Sequence, residues 1–352
     1  MLDTGNFVNK LIENSYTHIC VVPCSFAKNI INEVINNDSI EYLPCASEAV
    51  ACSIATGLKM AGQKPLVIVQ SSGLTNLGSC ITSLLKPYGV TLPMLVSWRN
   101  YNEGDSEIQH KHLATNLPDL INAYGYKYNI LNKQDISIAI NQIEKCNNTN
   151  QICILEKKTF SKVSLAQAHE LDLSNNIARG KFLEVLNTLF NDENVLFIGT
   201  TGNTSREMYS FMPNTNNFYM AGNMGGALSL GLGAAIAGKR VIVCGGDAEF
   251  VMHMGGLTTV GRYTREIDLT YILFDNESNK STGGQNTYQK HVDYAGIVKS
   301  SNIVNTFFAV DLATFSDSLN KANKGVNFIY VRCSYDEEAP RPPLNVVARS
   351  VF

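Results

Sequence analysis

Two polar residues at the ends of apolar runs carry the first chemical signal in this 352-residue chain. Asp247 follows the run VIVC (241–244) after Gly245 and Gly246, and Asn276 follows Asp275 at the end of LTYILF (269–274). Both runs are short, β-rich and free of charge, the pattern of buried strands. Between them, 253–263 places Met254, Leu257 and Val260 three apart, which predicts a helix with one apolar face. Two parallel strands joined by a helix bring Asp247 and Asn276 to one edge of a sheet. A carboxylate and an amide oxygen there are hard oxygen ligands, suited to Mg²⁺ held together with a phosphate-bearing ligand. The same residue types also form turns and cap helices, and spacing alone does not separate the two roles.

Other residues have comparable double readings. Glu48 opens the segment EAVACSIATGLKM (48–60), where a carboxylate also meets the positive end of a helix dipole. Ser25, in VVPCSFAKNII, stands at a strand-to-helix turn as an N-cap candidate. In QSSGLTN (70–76), Ser72 and Gly73 form either a polar turn or an approach for an anion. The stretch WRNYNEGDSEIQHKH (98–112) holds Arg99, whose planar fork matches anionic oxygens, and His110, an imidazole able to relay protons. GNMGG (222–226) is a poor dinucleotide loop, because it lacks both GxGxxG spacing and a trailing ribose-binding acid.

These residues need a scaffold of alternating strands and helices. In the first part, strands are expected at 18–22, 66–71, 94–98 and 152–155, and helices at 26–34, 48–60 and 74–85. The second part predicts helices at 181–190, 205–211, 223–237 and 312–321, with strands at 194–198 and 328–331 beside the two already described. TFSKVSLAQAHELDLS (159–174) has no steady period and reads as a linker. The expectation is an α/β protein of two doubly wound parallel-sheet domains, 1–158 and 175–352.

The Gly-Asp pair at 246–247, followed after nearly thirty residues by Asn276 closing an apolar strand, resembles the diphosphate-binding signature of thiamine-diphosphate enzymes. DNESNKSTGGQ (275–285) resembles the DN-x-x-x-x-STGGQ run of the phosphonopyruvate and sulfopyruvate decarboxylase group. VVPCS resembles that group's GVP-x-S, QSSGLTN its QNSGLGN, and the 98–110 stretch its WRGEPG…DEPQH. TTGNTSRE (200–207) resembles TTGKTSRE, and AGNMGGA (221–227) resembles GSMGHA. The resemblance runs over nearly the whole chain.

It implies a thiamine-diphosphate-binding fold, with a pyrimidine-binding domain at 1–158 and a diphosphate-binding domain at 175–352. It implies thiamine diphosphate and Mg²⁺ as cofactors, with Asp247, Asn276 and the Ser278 carbonyl as metal ligands. Gly222, Asn223, Met224, Gly246, Ala248 and Glu249 would lie along the cofactor, Met224 as an apolar wedge beneath it. Glu48 would face the aminopyrimidine ring and activate it, His110 would relay protons, and Ser25, Ser72, Arg99 and Lys280 would meet the substrate. The implied reaction is decarboxylation of 3-phosphonopyruvate to phosphonoacetaldehyde and CO₂. Sulfopyruvate or a related small anionic 2-oxo acid is the enzymatic alternative, and a non-catalytic partner subunit that keeps the fold is the other. The implied assembly is a homo-oligomer, at least a dimer with shared active sites. The chain departs from the pattern where Ala248 replaces a glycine and Glu249 brings a carboxylate that, if free, would repel a diphosphate. It departs again at Asn279-Lys280, where the group often has His-Asp.

Composition narrows the classes. A net charge of −3 offers no basic excess for nucleic acid or an anionic membrane. With 45% hydrophobic and 17% charged residues, the chain has the balance of a folded protein rather than a disordered one. The nine cysteines are scattered and lack a zinc-type CxxC pair, so reduced buried thiols are expected. MLDTGNFVNKLIENS has no apolar core of a signal peptide, and 221–237 is too rich in glycine for a membrane span. A cytoplasmic protein is the resulting expectation.

Overall fold

The computed structural model describes residues 1–99, 107–190, 194–322, 324–335, 339–347 and 352. Contacts divide the chain into two units, Met1–Glu170 with Asn279–Asn286, and Leu171–Ser278 with Thr287–Phe352.

In the first unit, six strands form one parallel sheet: β1 (His18–Val21), β2 (Glu41–Pro44), β3 (Pro65–Gln70), β4 (Met94–Ser97), β5 (Lys127–Ile130) and β6 (Gln151–Leu155). Their order is β2-β1-β3-β4-β6-β5. The helices are α1 (Thr4–Glu13), α2 (Lys28–Ile35), α3 (Glu48–Met60), α4 (Ser71–Asn76), α5 (Gly78–Cys80), α6 (Lys111–Ala123) and α7 (Ile136–Asn148). Both faces of the sheet are covered. Ile19, Val21, Leu66, Ile68 and Leu95 pack against α1, α2 and α7, while Cys20, Val67, Val69 and Val96 pack against α3 and α6. That is why the strands read as continuous apolar runs rather than as alternating ones.

The second unit repeats the plan. Its main strands are β7 (Val195–Gly199), β8 (Asn216–Tyr219), β9 (Arg240–Gly246) and β10 (Asp268–Asp275). In chain order the short ribbon β11 (Ser278–Asn279) with β12 (Gln285–Asn286), all but Ser278 grouped with the first unit, precedes the second unit's β13 (Asn305–Ala309) and β14 (Gly325–Arg332). The sheet order is β13-β14-β10-β9-β7-β8, again parallel. The helices are α8 (Arg179–Leu189), α9 (Asn203–Phe211), α10 (Ala227–Ile236), α11 (Asp247–Met252), α12 (Gly256–Val260), α13 (Tyr294–Ser300), α14 (Leu312–Lys321) and α15 (Leu344–Val347). Two α/β domains with parallel sheets are thus present, as the alternation predicts.

Strand order reverses between β1 and β3 in one sheet and between β7 and β9 in the other. In open α/β sheets the crevice outside the carboxyl ends at such a point is where ligands bind.

Local departures from the sequence reading have physical causes. Of the helix expected over 253–263 only Gly256–Val260 forms, as α12; the chain turns helical earlier, over Asp247–Met252, and the helix breaks at 253–255. The helix expected from 223 starts at Ala227, because Asn223 (φ 58°) and Gly225 (φ 95°) adopt the left-handed conformation that an α-helix excludes. Strands β2, β5, β8 and β13 escaped notice because they are mixed in polarity, with β5 exposing Tyr128 and Ile130 at an edge. Helix α6 was hidden by Pro118 within it.

The stretch 159–174 contains the division between the units, and its first half is bound along α1 and α2. Leu2 donates to the Thr159 carbonyl, Thr4 bonds Ser161, and Asn32 and Asn36 donate to the carbonyls of Val163 and Ser164. All nine cysteines are free thiols, seven of them buried. Among the described residues, no helix is long and apolar enough to cross a membrane.

Candidate active site

Three adjacent strands of the first sheet aim their carboxyl ends at one polar cluster. Ser25 follows β1, Gln70 ends β3, and Arg99 lies just past β4. Nη1 of Arg99 donates to Oγ of Ser25 at 3.1 Å and to Oε1 of Gln70 at 3.2 Å. Nη2 donates to Oε2 of Glu107 at 3.0 Å, and the guanidinium lies over the Phe26 ring, 4.7 Å from its centroid. Gln70 also donates to Oγ of Ser72 at 2.7 Å. His110 closes the 3-10 turn Ile108–His110, with Nε2 3.1 Å from Glu107 Oε2. His110 is buried, and its Nδ1 has no partner among the described residues. A buried ring nitrogen left open in this way is a group that a ligand or an ordered water could satisfy.

Glu48 belongs to the same unit. Ser47 caps α3 by accepting from the amide of Val50, which fixes Glu48 as the first helical residue. Its carboxylate is buried, only 6% exposed, and accepts a 2.8 Å hydrogen bond from Nδ2 of Asn76. Gly73 makes this possible, since a Cβ at that position would overlap the Glu48 carboxylate. The glycine of QSSGLTN is therefore needed for close approach of a side chain, which the sequence did not reveal. Lys280 lies exposed on the 3-10 turn Lys280–Thr282.

In the second unit, β9 runs directly into α11 at Asp247, which is 3% exposed. Oδ2 of Asp247 accepts from the Thr287 hydroxyl at 3.0 Å. Burial first, then the nearby Asp275 charge, pushes its carboxyl up to about 7. Among the described residues, no cationic side chain pairs with it. Asn276 and Ser278, both buried, follow β10; Oδ1 of Asn276 accepts from the Ser278 amide at 3.0 Å, and Ser278 Oγ has no partner among the described residues. Arg332 is drawn instead to Glu277, at 2.8 Å, and Tyr330 donates to Asp275 at 2.7 Å. A buried carboxylate with no ion-pair partner among the described residues, at a strand end paired in register with the one that leads to Asn276, is a hard oxygen donor of the kind a divalent cation takes. Among the described residues no cluster of three or more His, Cys, Asp or Glu fits a metal. The candidate set is of another kind: one carboxylate, one amide and one backbone carbonyl.

The departures at 248 and 249 resolve simply. Ala248 lies in α11 and is not among the residues with positive φ, so its methyl group causes no backbone strain. Glu249 is not a free carboxylate. It is buried, accepting from the Tyr271 hydroxyl at 2.7 Å and from the Ala227 amide at 3.3 Å. Burial raises its pKa, opposed by those hydrogen bonds. Gly246 has open space where a side chain would project, and Gly222 and Met224 are half-buried, with Asn223 exposed. Sequence reasoning missed Gln70, Glu107, Thr287 and Tyr271; of these only Glu107, three residues before His110, carried a local spacing signal.

Comparison with known proteins follows the same division. Residues 5–119 match the family described as thiamine pyrophosphate enzyme, N-terminal TPP binding domain, and residues 198–331 match its C-terminal TPP binding domain. A phosphonopyruvate decarboxylase of Streptomyces viridochromogenes is 26% identical over 340 residues, covering 92% of this chain and 85% of that one. A sulfopyruvate decarboxylase of Methanosarcina acetivorans is 26% identical over 314 residues, covering 81% and 79%. A sulfopyruvate decarboxylase subunit beta of Methanothermobacter thermautotrophicus is 38% identical over 121 residues, covering 34% of this chain and 65% of its own.

Proposed function

Since the chain belongs to the thiamine pyrophosphate enzymes, we propose that it decarboxylates a small 2-oxo acid carrying an anionic group on carbon 3. 3-Phosphonopyruvate, giving phosphonoacetaldehyde and CO₂, is the first choice, and sulfopyruvate the second. The observation that carries the reading is Arg99. Its buried guanidinium, with Ser25, Gln70 and His110 around it, sits at the strand ends of the unit that also holds Glu48. A buried guanidinium fork matches the oxygens of a phosphonate or sulfonate as a partner for its charge. Relatives of both names align over most of the chain, which supports the substrate class without separating its members.

Asp247, Asn276 and the Ser278 carbonyl would hold Mg²⁺, which would anchor the diphosphate against Gly246 and the turn 221–226. When bound, thiamine diphosphate supplies the electron sink for the pair left behind as the C–C bond to CO₂ breaks. Glu48, steadied by Asn76, would hold a proton at the pyrimidine ring nitrogen. Arg99 would orient the 3-substituent, and His110 would hand a proton to the substrate carbon that loses CO₂. The expected assembly is a cytoplasmic homodimer in which Glu48 of one copy serves the cofactor held by the other.

The direct test is a product assay with phosphonopyruvate and sulfopyruvate side by side, in the presence of Mg²⁺ and thiamine diphosphate. Release of CO₂ from neither substrate overturns the proposal. A non-catalytic partner subunit is disfavoured by the presence of Glu48, Asp247 and Asn276, and cofactor titration by calorimetry separates it.

A further inference from the structure

One oxygen organises the polar cluster of the first unit. Oε2 of Glu107 lies 3.0 Å from Nη2 of Arg99, 3.0 Å from Nε2 of Gln109 and 3.1 Å from Nε2 of His110. Three nitrogens on three side chains thus converge on a single carboxylate oxygen. The other terminal guanidinium nitrogen, Nη1, is engaged by Ser25 and Gln70, which fixes the direction in which Nη2 points. Donors converging at such distances, in a buried setting, form an oxyanion site. Here a carboxylate of the chain itself fills that site. A buried guanidinium requires a counter-charge, and Glu107 provides one.

We infer that Glu107 is an internal counterion, displaced when the anionic 3-substituent of the substrate takes the same three donors. The inference rests on the reading of Arg99 as the group that binds this substituent. It makes Glu107 a specificity-determining residue. A 2-oxo acid with a methyl group at carbon 3 offers nothing that competes for the Arg99 fork, so the pair stays closed against it. A phosphonate or sulfonate brings both the charge and the oxygens needed to replace the carboxylate. The partly exposed Glu107 side chain, at 14%, has water to move towards, whereas those of Arg99 and His110, at 8% and 5%, do not.

Inorganic phosphate is the probe, because it carries the charge and oxygens of the substituent without the rest of the substrate. Binding to the full-length protein saturated with Mg²⁺ and thiamine diphosphate, whose diphosphate site is then already filled, is measured by calorimetry at constant ionic strength. Glu107→Gln keeps the shape and removes the charge, so phosphate should bind at least tenfold more tightly than to the parent. Adding Arg99→Gln to that variant should abolish the gain. Thermal melts of each protein establish folding, and Glu107→Ser provides a second variant if Glu107→Gln melts early. Unchanged affinity in both Glu107 variants, with binding still lost on Arg99→Gln, overturns the counterion but leaves the reading of Arg99 standing. Phosphate binding that survives Arg99→Gln removes that reading and the inference with it. Absence of phosphate binding in the parent and in both Glu107 variants also overturns the inference.

Discussion

Tyr271 donates a 2.7 Å hydrogen bond from a fully buried hydroxyl to Glu249, and the same hydroxyl occupies the space that a side chain at position 245 would need. One contact thereby ties β10 to the start of α11 and explains why Gly245 is a glycine. Tyr271→Phe should leave the Glu249 carboxylate short of a donor. The expected loss is about 1–3 kcal/mol of unfolding free energy, read by urea denaturation. A variant as stable as the parent would show that the carboxylate is satisfied without the phenol.

Asp247 should make the cofactor-free protein sensitive to pH in a defined direction. Its carboxyl is raised to about 7 by burial and by Asp275, so the folded chain binds the proton more tightly than the unfolded chain. Stability is then greatest below the ordinary carboxylate range and falls as pH rises towards 7. Asp247→Asn is neutral throughout and should flatten this slope, raising cofactor-free stability at neutral pH by more than about 1 kcal/mol. The same variant should lose at least about tenfold in Mg²⁺-dependent thiamine diphosphate binding, or about 1.4 kcal/mol. Melts across pH and a calorimetric titration check both halves.

Glu48→Gln should bind thiamine diphosphate but exchange the thiazolium C2 proton far more slowly, as followed by NMR in D₂O. The amide fills the pocket over Gly73 but does not stabilise a proton on the ring nitrogen. An unchanged exchange rate removes Glu48 from the chemistry.

Arg179 and Glu207 form a buried bidentate pair, with bonds of 2.8 and 2.7 Å, that locks α8 against α9. Arg179→Met alone strands a buried carboxylate, and should cost about 3–5 kcal/mol. Removing both charges, as Arg179→Met with Glu207→Leu, should cost much less. Chemical denaturation of the single and double variants gives the comparison.

Co-expression of Glu48→Gln with Asp247→Ala tests whether sites are shared between copies. A mixed dimer regains one intact site of two if they are shared. Complete absence of rescue, with mixed dimers shown to form, sinks the shared site.

The sequence by itself determined the two-unit α/β plan, because buried parallel strands leave uninterrupted apolar runs such as VIVC and LTYILF that no register change can disguise. It also placed Glu48, Asp247 and Asn276 at element ends, since those positions depend only on local caps and strand lengths. Where a run was interrupted by polarity or by proline, as in β5 and α6, the local signal failed and long-range pairing decided the structure. Tertiary structure alone decided the partners of the polar side chains. Gly73 read as a turn residue until the fold laid the Glu48 carboxylate over it. Glu249 read as a charge beside a diphosphate until α11 began at Asp247 and carried it inward to Tyr271. Ser25, Gln70 and Arg99 are separated by tens of residues along the chain and meet only because β1, β3 and β4 are neighbours in the sheet. Sequence patterns record which faces are buried, because burial acts residue by residue. They do not record which distant donor meets which acceptor, because strand order is set by the packing of the whole sheet.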